Sequence, residues 1–482
     1  MTKRVLLIII QYMIDTITTD LAVLGGGPGG YTAAFRAADL GLSVCLIEKE
    51  NQLGGVCLNM GCIPSKTLLH GATIIEEAEK IADFGICFDV PKINIDVFRG
   101  KKDAVINQLA TGLDRLCQAR KITRLTGIGI FEDKNTLLVT TKEGETRIAF
   151  KHAVIATGSH PFVLPNSPTD PRIWDSTDAL ALPFIPKRLL IIGGGIIGLE
   201  MAQVYNALGS EITIVEMEAQ IIPPADKDLV QPLFLKLKKS YQIFTQTKVT
   251  QIKVLKKSIK VTFDGDKTPE SAGYDVVLVA VGRRPNSRDL GLEALGLQPN
   301  EHGFIEVNEH QQTKLSHIYA VGDVVGEPML AHKAIHQGKV AAEVIAGHKS
   351  AFTPMTIPSV AYTHPEIAWM GLTEKDATLK NIGFKKGKFM WGASGRALSA
   401  GATTGVTKVL FDTKTGRIIG AGICGLNAGE LIHEAVLALE MGADAKDISK
   451  TVHAHPTLAE TFAFAAEIVD GSITDALPPR IK

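Results

Sequence analysis

The chain has no excess of charge of either sign. Among its 482 residues, 51 acidic side chains balance 51 basic ones, so the formal net charge at pH 7 is zero. Lysine and arginine also form no stripe or long run of the kind that nucleic-acid binding requires. These two absences argue against a nucleic-acid partner.

Cysteine and long apolar runs are also scarce. Six cysteines in 482 residues are too few for the disulfide framework of a secreted protein. The apolar run at residues 5–10 is too short for a membrane helix or a standard signal peptide. We therefore expect a cytoplasmic protein that does not bind a membrane. We interpret residues 1–12 as an unstructured or misassigned extension, with Met13 as the true start.

The length and composition favour several α/β domains. A chain of 482 residues exceeds what one hydrophobic core serves, which suggests three or four domains. Hydrophobic residues make up 45% and charged residues 21%, values that are typical of globular proteins with alternating strands and helices.

A dinucleotide-binding fingerprint lies near the start of the chain. An apolar strand that begins at Leu21 leads into Gly25-x-Gly27-x-x-Gly30, a helix follows, and a second strand ends at Glu48. In this context the glycines let the backbone approach a pyrophosphate, and the helix N-terminus supplies amide donors. The carboxylate then accepts the ribose hydroxyls.

The same pattern recurs 168 residues later, as Gly193-x-Gly195-x-x-Gly198 followed by Glu216. In both copies the acidic residue follows the third glycine by 18 residues. A carboxylate at Glu216 repels a 2′-phosphate, and residues 217–220 contain no arginine to receive one. The second site is therefore predicted to prefer NAD over NADP.

Between the two fingerprints lies a closely spaced cysteine pair, Cys57 and Cys62, in the segment Gly-Gly-Val-Cys-Leu-Asn-Met-Gly-Cys-Ile-Pro-Ser-Lys at 54–66. Two thiols at this spacing can close a small, strained disulfide ring that exchanges readily. Two dinucleotide sites with such a pair between them suggest an electron relay. The other four cysteines are interpreted as structural: Cys45, Cys87, Cys117 and Cys424.

The histidines of Thr-Val-His453-Ala-His455-Pro-Thr, which alternate as on a strand, admit three interpretations. A metal site lacks an evident third ligand, so we expect no metal. Structural histidines bonded to the backbone are a second possibility. The favoured interpretation is a general acid/base, His455, oriented by Glu460 in the first turns of a following helix, because dithiol chemistry needs a group that takes a thiol proton.

The remaining motifs mark the domain organisation. A strand and turn at 151–158 closes the first nucleotide domain, and an apolar strand at 275–282 closes the second. The buried strand 318–323 ends at Asp323, where a nucleotide crevice is expected, and a helix follows from about Met329.

Long motifs spread over the whole chain resemble the flavin disulfide reductases of the pyridine nucleotide-disulfide oxidoreductase family, and most of all its dihydrolipoamide dehydrogenase branch. They are the segments 54–66, 156–158, 282–286, 321–323, 358–366 and 453–457. The resemblance implies two Rossmann-like dinucleotide-binding domains and a C-terminal α+β dimerisation domain. The segments would be 1–158 and 282–352 for FAD, 159–281 for NAD and 353–482 for dimerisation.

The resemblance also assigns the cofactor contacts. The residues implied for FAD are Gly25, Gly27, Gly30, Glu48, Lys66, Thr157, Gly158, Asp323, Met329 and Ala331. Those implied for NAD are Gly193, Gly195, Gly198, Glu216 and Gly282. Within these sets, Asp323 would hold the ribitol chain, and Lys66, held by Glu200, would lie near the reactive flavin nitrogen.

The implied reaction is the oxidation of dihydrolipoamide by NAD⁺. Cys57 would exchange with the substrate, Cys62 would face the flavin, and His455 with Glu460 would deprotonate the substrate thiol. Because in this family the histidine reaches the disulfide of the other subunit, a homodimer is implied. The lipoyl groups would come from partner proteins, namely the lipoyl domains of 2-oxo-acid dehydrogenase complexes (pyruvate or 2-oxoglutarate) or the glycine-cleavage H protein.

Two alternatives are weaker. A glutathione reductase-like, NADPH-dependent disulfide reductase is the nearer one, but Glu216 and His453 argue against it. A nucleotide-binding scaffold without activity would not need a dithiol, an acid/base and two fingerprints together.

Overall fold

The computed structural model describes residues 15–477. The predictions about residues 1–12 and Met13 lie outside that range. The described chain forms two compact units. The first comprises the described residues up to Asn59, with Asn107–His160 and Arg284–Thr353. The second comprises Met60–Ile106, Pro161–Arg283 and the described residues from Pro354. The division at 158, 281 and 352 stays a prediction.

Strands and helices alternate along most of the described chain, as predicted for an α/β protein. The strands are β1 (Asp15–Leu24), β2 (Val44–Glu48), β3 (Thr123–Thr126), β4 (Ile128–Asp133), β5 (Thr136–Thr140), β6 (Glu145–Ile155), β7 (Ser159–Pro161), β8 (Ile173–Trp174), β9 (Arg188–Ile192), β10 (Glu211–Val215), β11 (Gln242–Phe244), β12 (Lys248–Val254), β13 (Ile259–Asp264), β14 (Ser271–Tyr274), β15 (Val276–Val279), β16 (Arg283–Pro285), β17 (Ile318–Ala320), β18 (Ser359–Ala361), β19 (Glu366–Gly371), β20 (Phe384–Met390), β21 (Val406–Asp412) and β22 (Ile418–Gly425).

The helices are α1 (Pro28–Asp39), α2 (Gly55–Met60), α3 (Cys62–Lys80), α4 (Ile95–Ala119), α5 (Ser176–Ala181), α6 (Ile196–Ala207), α7 (Lys227–Leu237), α8 (Ala331–Ile345), α9 (Glu374–Leu379), α10 (Gly395–Ser399), α11 (Ala428–Glu440), α12 (Ala445–Lys450) and α13 (Glu460–Asp470). Short 3₁₀ turns occupy Ile81–Phe84, Gly322–Val325 and Trp391–Ala393. Among residues 15–477, no helix is long and apolar enough to cross a membrane.

The first unit is built on a sheet with the strand order β3-β2-β1-β6-β5-β4, with β17 also paired to β6. Successive residues of β1 belong to different cores: Leu21 and Val23 pack in one cluster, while Ala22 and Leu24 pack in another. Because side chains alternate across a strand, both faces of this sheet are covered. This explains why β1 has so few polar residues after Asp20.

The second unit repeats this design in the parallel sheet β11-β10-β9-β15-β8. Along β9, Leu189 and Ile191 pack in one core and Leu190 and Ile192 in another. The unit also contains the three-stranded sheet β12-β13-β14 and the antiparallel sheet β18-β19-β22-β21-β20. That last sheet and its helices form the predicted α+β segment without a glycine fingerprint.

A buried lysine ties α7 to the antiparallel sheet. Lys408 of β21 is only 3% exposed, and its ammonium lies 2.7 Å from Asp226, 2.6 Å from Asp228 and 2.8 Å from Glu374. Burial alone would lower the pKa of Lys408, but these hydrogen bonds raise it. The three carboxylates lie close enough together to suggest a cation site. The lysine ammonium already supplies the positive charge there.

Four local predictions need correction. Residues 451–459 form an irregular loop rather than a strand, because Pro456 has no N–H for a ladder. The strand before Asp323 ends at Ala320, and α8 begins at Ala331 rather than near Met329. Cys87 is exposed, so its structural assignment is wrong, whereas Cys45, Cys117 and Cys424 are buried as predicted.

Candidate functional site

The first glycine loop, between β1 and α1, leaves no space for side chains at its first and third glycines. Gly25 has φ +109°, and a Cβ there would lie 2.3 Å from the Ala156 carbonyl oxygen. A Cβ on Gly30 would lie 1.8 Å from the Gly25 oxygen. Around Gly27 the nearest atom is 3.7 Å away, which is ordinary contact. The middle glycine therefore leaves its outer side open for a ligand, as a phosphate-binding turn requires.

Glu48 closes this loop from the end of β2. Its carboxylate accepts hydrogen bonds from the backbone N–H of Gly26 at 2.6 Å and of Glu50 at 2.9 Å. The side chain is buried, at 6% exposure. Since a carboxylate has about four acceptor positions, lone pairs remain for ribose hydroxyls.

The same unit contains the other predicted FAD residues except Lys66, which belongs to the second unit. The hydroxyl of Ser159 donates to Asp323 at 2.5 Å, and that of Thr157 donates to the Asn286 carbonyl at 2.6 Å. Asn286 also donates its backbone N–H to Gly158 at 2.9 Å. Among the remaining predicted contacts, Ala331 is the first residue of α8, and Met329 precedes the helix.

The second glycine loop, between β9 and α6, repeats this geometry. Gly193 has φ +108°, and its Cβ would lie 2.4 Å from the Ala280 oxygen, while that of Gly198 would lie 2.2 Å from the Gly193 oxygen. No atom lies within 4 Å of a Cβ on Gly195. Gly282, which is also predicted to contact NAD, has φ +124° and open space.

Glu216 anchors the second loop as Glu48 anchors the first. Its carboxylate accepts the N–H of Gly194 at 2.6 Å and of Glu218 at 2.8 Å. The equivalence extends to single atoms. In both loops Oε2 accepts the N–H of the residue that follows the first glycine, and Oε1 accepts the N–H of the second residue after the glutamate. Two sites of one design are therefore present, one in each unit.

The two predicted redox cysteines lie on consecutive helices. Cys57 belongs to the six-residue α2, and Cys62 is the first residue of the 19-residue α3. Both thiols are partly buried. Cys62 lies at a helix N-terminus, where negative charge is favoured.

Lys66, one turn along α3, forms a partly buried ion pair with Glu200 of α6. The ammonium lies 3.0 Å from each carboxylate oxygen, and the Glu200 side chain is 4% exposed. The backbone N–H of Tyr362 also donates to Glu200, at 3.1 Å. The Tyr362 ring lies 4.4 Å from the Lys66 ammonium, within cation–π distance.

Tyr362 lies in the segment 358–366, but the sequence predicted no role for it. Burial raises the pKa of its phenol, and the nearby Glu366 and Glu200 carboxylates raise it further. Burial also raises the pKa of Glu366. The surroundings of Lys66 are therefore rich in acidic groups.

The predicted acid/base pair is assembled in the second unit. Nδ1 of His455 lies 2.9 Å from Oε1 of Glu460, the first residue of α13. The other carboxylate oxygen accepts the Thr457 N–H at 2.7 Å. The imidazole is 78% exposed while the carboxylate is 12% exposed. This geometry orients the ring and leaves Nε2 accessible for proton transfer.

His453 has a different environment. Its Nε2 lies 2.7 Å from Glu434 of α11, and its Nδ1 contacts the Thr451 carbonyl at 2.8 Å. The hydrogen bond to Glu434 raises the pKa of His453. These two contacts make His453 a structural link between the loop and α11.

Comparisons with known proteins identify the family of the chain. Residues 19–338 match the family model described as pyridine nucleotide-disulphide oxidoreductase, and residues 357–466 match the dimerisation domain of that family. The dihydrolipoyl dehydrogenase of Vibrio cholerae is 51% identical, covering 98% of this chain and 99% of that protein. The Haemophilus influenzae enzyme of the same name is 50% identical over the same shares.

Solved structures give the same result. The HOCl-induced flavoprotein disulfide reductase RclA from Escherichia coli, solved as a Cu(II) complex, is 26% identical with a TM-score of 0.84. The match covers 94% of this chain and 100% of that chain. The predicted fold class, two nucleotide-binding domains and a C-terminal dimerisation domain, is confirmed. The chain belongs to the pyridine nucleotide-disulphide oxidoreductase family, in its dihydrolipoyl dehydrogenase branch.

Proposed function

We propose that this protein reoxidises protein-bound dihydrolipoamide and passes the electrons to NAD⁺. The observation that carries the proposal is the pair of equivalent glycine loops, each closed by a buried carboxylate, with two cysteines between them in sequence. The names of the relatives support the dihydrolipoyl substrate. A glutathione reductase-like activity has no comparable support, because Glu216 occupies the position where a 2′-phosphate would need a cation.

The family uses FAD and NAD(H). FAD, when bound, supplies two-electron transfer between a dithiol and a nicotinamide. We assign its pyrophosphate to the loop 25–30, its adenosine ribose to Glu48 and its ribitol chain to Asp323. NAD is assigned to the loop 193–198 with Glu216 on its ribose. We assign Lys66, which is held by its ion pair with Glu200, to the reactive end of the flavin.

The chemistry of the dithiol half-reaction follows from the proposed roles. His455 takes a proton from one thiol of the substrate, and the thiolate attacks Sγ of Cys57. The bond between Cys57 and Cys62 breaks, and Cys62 leaves as a thiolate. The second substrate sulfur then displaces Cys57, forming the lipoyl disulfide and leaving a reduced enzyme dithiol.

The second half-reaction returns the enzyme to its starting state. The dithiol is reoxidised to the 57–62 disulfide, its electron pair ends as a hydride on NAD⁺, and a proton is released. Glu460 keeps the imidazole of His455 in one orientation throughout. Because the oxidised lipoyl group leaves before NADH forms, we expect ping-pong kinetics.

The match to a dimerisation domain supports a dimer, and we propose a homodimer in which His455 serves the disulfide of the other subunit. The proposed partners are lipoyl domains of 2-oxo-acid dehydrogenase complexes, for pyruvate or 2-oxoglutarate, or the glycine-cleavage H protein. The proposed location is the cytoplasm. Neither nucleic acid nor a membrane is part of this proposal.

Substitution of the exchange cysteine tests the proposal. Cys57→Ser should keep bound FAD and lose turnover of free dihydrolipoamide with NAD⁺ to background. Cys87→Ser changes an exposed cysteine and serves as the matched control, with wild-type turnover. Wild-type activity in Cys57→Ser would overturn the exchange role.

A further inference from the structure

A buried lysine with no assigned role lies beside the proposed FAD site. Lys333, the third residue of α8, is only 6% exposed. Its ammonium donates to the carbonyl oxygen of Gly326 and reaches that of Gly322 at 3.5 Å. These two carbonyls lie at the two ends of the 3₁₀ turn that contains Asp323.

A second side chain of α8 holds the same turn. Gln337, four residues after Lys333, is 4% exposed, and its Oε1 accepts the Gly322 N–H at 2.9 Å. Residues four apart on a helix share one face. One face of α8 therefore fixes the turn through both a cation and an amide, while Ser159 donates to the Asp323 carboxylate from β7.

The electrostatics link the lysine to Asp323. Burial lowers the pKa of Lys333, and the charges of Asp323 and Glu327 oppose that shift. Removing one partner of a buried charge interaction, or the donor of a buried carbonyl oxygen, costs a fold stability. Lys333 therefore supplies the turn with a donor for the Gly322 and Gly326 carbonyls and with a positive charge that interacts with Asp323.

We propose that Lys333 is a positioning residue for FAD: it closes the 322–326 turn and holds the Asp323 carboxylate aimed at the ribitol hydroxyls. This inference rests on the proposed function, because it takes Asp323 as a FAD contact. It adds a residue that no motif had marked. Lys333 acts through Asp323 and the backbone of the turn.

Affinity for FAD tests this role, and the stability of the apoprotein is measured beside it. In the full-length protein stripped of flavin, Lys333→Met should raise the FAD dissociation constant at least tenfold. The thermal midpoint of the apoprotein should fall slightly, because the carbonyl oxygens of Gly322 and Gly326 lose their donor. Lys333→Arg, which keeps the charge, should recover part of the affinity. Lys339→Met removes an exposed lysine from the same helix and should match the wild type.

A double-substitution cycle provides the sharper test. If Lys333 acts through Asp323, Lys333→Met should have little further effect on FAD affinity in an Asp323→Asn background. Additive effects of the two changes would overturn the inference, as would wild-type FAD affinity in Lys333→Met. A wild-type apoprotein that takes up no FAD would instead overturn the proposed function itself. If Lys333→Met does not fold, the cycle is made with Lys333→Arg, and additivity again contradicts the inference.

Discussion

At the scale of single residues, exposure separates the two histidines of the 453–457 motif. His455 presents an open imidazole held by Glu460, whereas His453 is enclosed and bonded to Glu434. Both have a carboxylate partner within 3 Å, so the partner alone does not identify the base. The exposure of the imidazole, which lets a substrate reach it, identifies His455 as the base.

His455→Gln is expected to lower turnover of dihydrolipoamide by about two to four orders of magnitude, because glutamine cannot accept the thiol proton. FAD content should not change. The measurement is the steady-state rate of NADH formation. His302→Gln, at a side chain 69% exposed, is the control. A His455→Gln enzyme with more than a tenth of wild-type activity would contradict the assignment.

The nicotinamide preference also belongs to single residues. Glu216→Ala combined with Met217→Arg should relax the preference for NAD over NADP, because it removes a buried carboxylate and adds a cation at a position that is 65% exposed. The ratio of kcat/KM for the two nucleotides measures this. An unchanged ratio would place the discrimination elsewhere in the second unit.

The sequence was sufficient to predict the residues that lie at a fixed distance from a recognisable motif. Glu48 and Glu216 were found because each follows a glycine loop at a fixed distance. Tyr362, which binds Glu200 across 162 positions of sequence, carried no such signal. Lys333 was equally hidden, since a lysine in a helix is usually exposed and only its burial reveals it.

At the scale of elements, the strands of the parallel sheets were predicted best. Strands buried on both faces have nearly continuous apolar sequences, as in β9 and β15. The loop around His455 was mispredicted because two alternating histidines imitate a strand pattern. The ends of the elements near Asp323 and Met329 shifted by a few residues, because glycine and proline turns there override local periodicity.

The two halves of the second glycine loop should respond differently to substitution. The methyl group of Gly195→Ala meets open space, so the thermal midpoint should stay within about 2 °C of the wild-type value. The KM for NAD should rise at least tenfold, because the methyl group occupies the space where the pyrophosphate would bind. Gly198→Ala places a carbon 2.2 Å from the Gly193 oxygen and should destabilise the fold. Equal losses of stability in both variants would contradict this account.

The segment between β18 and β19 should respond to acid. The backbone of His364 is held by Gln203 of α6 and Lys236 of α7. Burial, together with the charge of Lys236, lowers the pKa of its imidazole to about 4. Because the folded pKa lies below the unfolded value, the stabilisation is complete above about pH 6.5 and is lost as the pH falls toward 4.

His364→Asn should therefore lose less stability between pH 7.5 and pH 4.5 than the wild type does, by about 2 kcal/mol. Urea unfolding at the two pH values gives this difference. His302→Asn changes an exposed histidine and should behave as the wild type. A wild-type acid response in His364→Asn would mean that other groups cause it.

At the scale of the whole molecule, one structural design occurs twice. Each unit has a sheet with parallel central strands, a glycine loop and a carboxylate anchored by two backbone amides. This repeat was visible in the sequence and was sufficient to predict two dinucleotide domains. Helix α3 lies in the second unit and carries Cys62 and Lys66. The sequence predicted instead that this helix belongs to the first nucleotide domain.

The central claim is that electrons pass from a dihydrolipoyl dithiol to NAD⁺. The most direct test is NADH formation from free dihydrolipoamide and NAD⁺, measured beside NADPH-driven reduction of glutathione disulfide on the same purified protein. The account predicts fast, ping-pong NADH formation and no turnover of glutathione disulfide. Reduction of glutathione disulfide by NADPH without oxidation of dihydrolipoamide would contradict it.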